Sequence, residues 1–248
     1  MKTKILIAAL SLTLTLSAQD HGDIVNTTQG PMRIQPVMHG ALALKWKGKT
    51  ILVDPYGGPQ KYKSLHSPDL ILITDIHPDH LDTSTLNSLD ISKASIVAPQ
   101  AVADMLPENF KKKAIVLANG KTHESLGMTI EAMPMYNLPE SKDAFHTKGR
   151  GNGYLLTAGG KRIYISGDTE DIPEMLALKN IDVAFICMNL PYTMTVEQAA
   201  NAVKTFKPAV VYPYHYRGKD GLSDVEKFKK LVSDDRKIEV RLRNWYPE

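Results

Sequence analysis

Four consecutive apolar residues, Leu70-Ile71-Leu72-Ile73, run directly into Thr74-Asp75-Ile76-His77-Pro78-Asp79-His80-Leu81-Asp82. An apolar run without alternation is the pattern of a strand covered on both faces, so the chain must supply layers on either side of it. The loop that follows crowds Asp75, His77, Asp79, His80 and Asp82 against the end of that strand, and ionisable groups so placed need a neutralising partner. Asp82 or Thr83 is explained as the N-cap of a following helix, but capping leaves two histidines and two aspartates without a task. A divalent metal gives them one, because imidazole nitrogen and carboxylate oxygen are ligands that suit zinc, manganese and iron. Pro78 stiffens the turn, so that His77 and His80 can face one point together with Asp75 and Asp79.

The rest of the chain repeats this arrangement of strand followed by polar loop. Residues 34–37, 41–46 and 50–53 read as strands, the last two joined by the glycine-centred turn Lys47-Gly48-Lys49. Residues 81–89 and 99–105 read as helices, and 94–98, 114–117 and 128–133 as strands. An irregular stretch then reaches Gly153, carrying Asn137, His146, Lys148, Arg150 and Asn152; a loop this long inside a compact domain tends to be functional or disordered, and this one carries more chemistry than a connector needs. A second hairpin, 153–157 and 162–165, ends in Ser166-Gly167-Asp168-Thr169. Helices are expected at 172–178, 195–206 and 223–232, the last two from the capping-box pairs Thr195/Gln198 and Ser223/Glu226. Strands 181–188 and 209–212 lie between them, and 238–242 reads as an edge strand. Three separate strands thus end in metal-ligand chemistry, at Asp75 to His80, at Asp168 and at His215, with His146 or Asn137 arriving from the long loop. Jointly they fit two metal positions that share a carboxylate.

Residues 1–18 have another character: Lys2 and Lys4 precede an apolar stretch at 5–16, followed by small residues at Ser17-Ala18. This is the pattern of a secretory signal peptide, too short and too rich in Ser and Thr for a membrane anchor. The expectation is an exported protein, periplasmic or secreted, with one domain over 19–248 and no stable membrane insertion once the leader is removed. The net charge of +3 is scattered, which argues against a nucleic-acid partner. The single cysteine, Cys187, cannot form an intramolecular disulfide. Oligomeric state is left open.

Taken in order, Lys49-Thr50-Ile51-Leu52-Val53-Asp54-Pro55, the loop at 75–82, Arg162-Ile163-Tyr164-Ile165-Ser166-Gly167-Asp168-Thr169 and Tyr212-Pro213-Tyr214-His215 resemble the metallo-β-lactamase superfamily. The resemblance runs from about Ile34 to Arg217 and is strongest to the superfamily's lactonase-like metal-dependent hydrolases, related to ascorbate-phosphate lactonase and the N-acyl-phosphatidylethanolamine phospholipase. It implies an αββα sandwich, an α/β fold in which two mixed sheets lie face to face with helices outside and the metal site at one edge. By the same resemblance, His77 serves the first of two divalent metals, Asp79 and His80 serve the second, Asp168 bridges, and His215 completes the second. The family's loop begins with His where this chain has Asp75, so the first metal is held by a carboxylate plus imidazole. Its remaining ligand is taken as His146, with Asn137 as the alternative.

The implied activity is hydrolysis of a small ester, lactone or phosphodiester by water whose pKa the metal lowers, with Asp79 orienting that water and passing a proton to the leaving group. Zinc is the expected metal, and the oxygen donor at Asp75 opens the first position to manganese or iron. Lys148, Arg150, Asn137 and Tyr192 are the candidate substrate contacts. The competing expectation is a non-catalytic metal- or ligand-binding protein on the same fold, its first metal position weakened by Asp75.

Overall fold

The computed structural model describes residues 22–233 and 237–247, so the expected leader at 1–18 lies outside it. The first half of the chain builds one seven-stranded sheet from β1 (Asp23–Thr27), β2 (Gly30–Met38), β3 (Ala41–Trp46), β4 (Lys49–Val53), β5 (Leu70–Leu72), β6 (Ser95–Ala98) and β7 (Ala114–Val116), in that spatial order. The first four strands form an antiparallel meander, and the next three are added in parallel. The second half repeats the scheme. Strands β8 (Thr122–Ser125), β9 (Met128–Met135), β10 (Gly151–Ala158) and β11 (Lys161–Ile165) form the meander, and β12 (Val183–Cys187), β13 (Val210–Tyr214) and the edge strand β16 (Glu239–Val240) are added in parallel. A separate two-stranded hairpin, β14 (Arg217–Gly218) and β15 (Gly221–Leu222), follows β13.

Crossovers between parallel strands need helices, and α1 (Thr83–Ser88), α2 (Gln100–Met105), α3 (Glu108–Lys111), α4 (Pro173–Leu176), α5 (Val196–Phe206) and α6 (Val225–Val232) fill that role. The inner faces of both sheets contribute to one apolar core that includes Met32, Leu44, Trp46, Leu72, Ile130, Tyr154, Ile163 and Phe185. A second cluster, with Leu52, Ile71, Ile96, Val102 and Phe110, packs helices onto the outer face of the first sheet. The continuous run at 70–73 is therefore buried on both faces because it lies between these two clusters. Two mixed sheets flanked by helices make this the αββα architecture.

Several boundaries move. The expected helix at 81–89 shortens to α1, with Asp82 as the N-cap accepting from the Thr85 N–H. The Thr195/Gln198 capping box forms in full. At α6 the cap is Asp224 rather than Ser223, because the Asp224 carboxylate accepts the Lys227 N–H. The irregular segment begins after Met135 rather than Met133, since β9 pairs with β10 to its last residue. Strands β1 and β8 and the short helix α3 have too few apolar residues to announce themselves. Among the described residues, no helix is long and apolar enough to cross a membrane.

Candidate metal centre

The carboxyl ends of β5, β11 and β13 meet at one edge of the sandwich, and the turn between β2 and β3 meets them there. His80 Nε2 lies 3.2 Å from His215 Nε2, 3.4 Å from Asp168 Oδ2 and 3.9 Å from Asp79 Oδ2. His215 Nε2 is 3.3 Å from Asp168 Oδ1 and 3.4 Å from Asp79 Oδ2. Ligands about 2.0–2.1 Å from a tetrahedral zinc stand roughly 3.3 Å apart, so these separations are those of a coordination shell. Beside it, His146 Nε2 is 3.4 Å from Asp168 Oδ2 and 3.9 Å from Asp75 Oδ2, and His77 Nδ1 is 2.8 Å from Asp75 Oδ2. Asp168 belongs to both groups.

Two observations test whether these residues fit a metal. His146 Nε2 and Asp168 Oδ1 are buried without a hydrogen-bond partner, and a buried polar atom left unpaired is destabilising unless something binds it. The second is charge. Burial pushes the Asp168 carboxyl up, but the His215 and His80 imidazoles outweigh burial and hold it well below the usual range. Burial likewise disfavours protonation of His80, yet Asp168, Asp54 and Asp79 outweigh it and raise that imidazole well above its ordinary value. Asp79 follows Asp168, burial opposing and His80 and His215 winning. Carboxylates that pull a buried imidazole toward its charged form amount to an excess of negative charge, and a divalent cation in place of that proton satisfies it. The residues fit.

The supports behind the donors are as specific as the donors. His80 Nδ1 bonds Asp54 Oδ2 at 2.8 Å, while Thr74 gives its N–H to Asp54 Oδ1 and its hydroxyl to Oδ2. That fixes Nδ1 as the protonated nitrogen and leaves the Nε2 lone pair facing the cluster. Gly40 lets His215 come close: a Cβ there would stand 3.0 Å from His215 Cδ2 and 3.6 Å from His80 Cε1. Asp75 is wholly buried and bound bidentately by Arg150, Nε to Oδ1 at 3.1 Å and Nη2 to Oδ2 at 2.8 Å. Burial raises the Asp75 carboxyl, but His77, His80 and Arg150 more than offset it and keep it below its ordinary value.

The other expected contacts are distributed unevenly. Tyr192 lines the cleft above the donors, about 290 Å³ in volume, together with His77, Pro78, Asp79, Phe145, His146, Asp168 and Asn189. Asn137 is turned inward, where its side chain accepts the His146 N–H and donates to the Tyr192 carbonyl and to Glu170, so it holds the long loop in place. Lys148 points away, paired with Glu140 and Glu174 over the Tyr136 ring. Arg150 is occupied by Asp75 and the Phe145 carbonyl.

His39 went unnoticed in the sequence. Its Nε2 is 3.1 Å from Asp79 Oδ2, its Nδ1 is 2.8 Å from the Tyr246 hydroxyl, and its ring centroid is 3.9 Å from that of His215. Burial takes its pKa below the ordinary value although Asp79 pulls the other way. The signal was present: His39 directly follows β2, the same position relative to a strand that singled out Asp168 and His215. Asp54, at the end of β4, carries it too.

Known proteins resemble this chain over most of its length. The family described as "Beta-lactamase superfamily domain" matches residues 33–215. A UPF0173 metal-dependent hydrolase of Pyrococcus abyssi is 36% identical over 202 residues, which are 77% of this chain and 88% of that protein. The crystal structure of a proposed metal-dependent hydrolase from Parabacteroides distasonis, 41% identical, superposes with a TM-score of 0.79 over 90% of this chain and 98% of that one. A metallo hydrolase from Ignicoccus hospitalis, 24% identical, shares the fold with a TM-score of 0.70 over 86% and 94% of the two chains. The matched domain and the breadth of these alignments place the chain in the metallo-β-lactamase superfamily, as a member of the UPF0173 metal-dependent hydrolase family.

Proposed function

We propose that this protein is an exported metal-dependent hydrolase of a small, uncharged ester or lactone. Its metal ligands are Asp79, His80, Asp168 and His215, with Asp75, His77 and His146 around a second position. The observation that carries the substrate class is the cleft lining: among the described residues no lysine or arginine lines it, and the carboxylates of Asp79 and Asp168 do. Lys148 and Arg150, the cations of the adjoining loop, are already held by carboxylates. Beyond the ions themselves, the cleft offers an anionic group no guanidinium or ammonium to grip it, so a neutral carbonyl substrate suits it better than a phosphodiester or a carboxylate. Phe145 and Tyr192, edge to face with centroids 5.1 Å apart, form an aromatic wall for its apolar part.

A divalent ion, zinc as first expectation, supplies Lewis acidity and a water of lowered pKa. The chain's own residues do the rest. Asp79, whose side chain is 31% exposed, is the partly open carboxylate of the cluster, and His39 fixes its orientation from behind. It therefore orients the attacking water and relays a proton to the leaving oxygen. Asn137 keeps His146 facing Asp168 by bonding its backbone on both sides. Export rests on Lys2, Lys4 and the apolar stretch at 5–16.

The test is elemental analysis of purified protein, followed by turnover of aryl esters, lactones and an aryl phosphodiester with and without a chelator. Ester or lactone turnover that a chelator removes and the metal restores is expected. Preference for the phosphodiester overturns the substrate class, and chelator-insensitive turnover overturns the mechanism. Sequencing the amino terminus of the mature protein tests export, with a new terminus near residue 19 as the expected result.

A further inference from the structure

We infer that the two halves of the centre fill unequally, one ion being held tightly by Asp79, His80, Asp168 and His215, and that Arg150 is the residue that weakens the Asp75/His77/His146 position. The inference rests on the metal-dependent reading above and concerns how this chain departs from a symmetric pair of ions.

Stereochemistry comes first. A carboxylate oxygen has two in-plane lone pairs. Asp75 Oδ2, the oxygen nearer His146, already meets Arg150 Nη2 and His77 Nδ1, each at 2.8 Å. Asp75 Oδ1 accepts Arg150 Nε. An ion entering beside His146 must therefore displace His77 from Asp75, and the same step costs the hydrogen bond that His77 now makes. On the other side less has to be displaced: His80 Nε2 and His215 Nε2 stand 3.2 Å apart and 3.4 and 3.3 Å from the Asp168 oxygens, so an ion entering there replaces the proton shared by two imidazoles and leaves the Asp54 support of His80 intact.

Charge works in the same direction. Behind His80 stands the Asp54 carboxylate, which makes the imidazole a better donor to a cation. Behind Asp75 stands a guanidinium that is permanently charged. It cancels the charge of the one anionic ligand that the first position does not share, and it repels a divalent ion across a poorly solvated interior. Yet His146 Nε2, buried and unpaired, still faces that position, so the position is weakened rather than lost.

The experiment measures metal content and affinity, not activity. Wild-type protein is stripped with chelator, titrated calorimetrically with zinc, and separately loaded with one and two equivalents of manganese for electron paramagnetic resonance. The expected result is one ion per chain retained through dialysis, a second bound at least tenfold more weakly, and an isolated-ion manganese spectrum at one equivalent. Arg150→Gln should tighten the second ion at least tenfold and leave the first unchanged. Because that variant exposes a buried carboxylate to loss of its partner, Asp75→His/Arg150→Gln is measured beside it, and two tight ions are expected there. Two ions of equal affinity in the wild type, or a second affinity unmoved in both variants, overturn the inference. Absence of any bound ion in all forms sinks the metal-dependent reading itself, an outcome distinct from unequal filling.

Discussion

Two of the proposed ligands, His80 and Asp75, sit five residues apart on one loop and are supported by groups of opposite sign. His80 is a neutral donor with a carboxylate, Asp54, behind it; Asp75 is an anionic donor with a guanidinium, Arg150, behind it. The first pairing adds electron density to the ligand and the second withdraws charge from it. Ligand identity alone would rank the two positions equally, since each combines the shared Asp168 with one further aspartate and two histidines. What stands behind a ligand decides how well it binds, and here the two supports convert a symmetric-looking cluster into an asymmetric one.

The comparison can be broken at its shared member. Asp168→Ala removes the carboxylate common to both sides, so we expect loss of bound metal and a fall in turnover on the order of 10³-fold or more, ~4 kcal/mol of transition-state stabilisation; retained metal-dependent turnover in a folded variant would refute the shared role. Chelation without mutation should lower the melting temperature by about 5–10 °C, because a ligand at about a hundredfold its Kd stabilises by ~2.7 kcal/mol. A melting curve indifferent to chelator would deny the cluster its cation. Asp54→Asn sharpens the contrast, since it removes charge on the His80 side only: metal affinity should drop about 10–100-fold, read by competition with a colorimetric chelator. The smallest effect is expected for Tyr246→Phe, which removes the hydroxyl that holds His39 Nδ1 and, away from the cluster, accepts the Arg217 N–H. A single hydrogen bond contributes ~0.5–1.5 kcal/mol, so kcat should fall only several-fold with metal content unchanged; a loss of metal instead would make His39 a ligand rather than a support.

Much of the scaffold could be read from residue patterns, because buried parallel strands write their burial directly as apolar runs. Leu70 to Ile73 and 181–188 are such cases. Strand β1, with Asp, Asn and Thr among its five residues, is an edge strand half exposed to solvent and carries no such signature. At the site, position along the chain was the useful signal: Asp168 and His215 each follow a strand, and parallel strands deliver their carboxyl ends to one place. Long-range pairing was not legible. Whether Arg150 meets a substrate or Asp75 depends on how two sheets face each other across seventy-five residues of sequence, and nothing local to Arg150 encodes it. Lys148 found Glu140, eight residues away, and could equally have been a solvated loop charge. Asp54 ends a hairpin strand and looks like a turn residue until His80, twenty-six positions later, is seen to lean on it.

Trp245 and Tyr246 bear on when this centre comes into being. Trp245 is fully buried against Phe185 and Tyr214, its carbonyl takes the His39 N–H, and the next residue holds the His39 ring. A loop at residue 39 is thus locked by a residue 207 positions later in the sequence. During vectorial emergence, whether from a ribosome or through a translocation pore, the donor cluster has no complete frame until residues 245 and 246 have followed. For a protein exported unfolded, the ion that occupies the centre would then be drawn from the destination compartment, and the metal supply of the cytosol would have no say in which one it is.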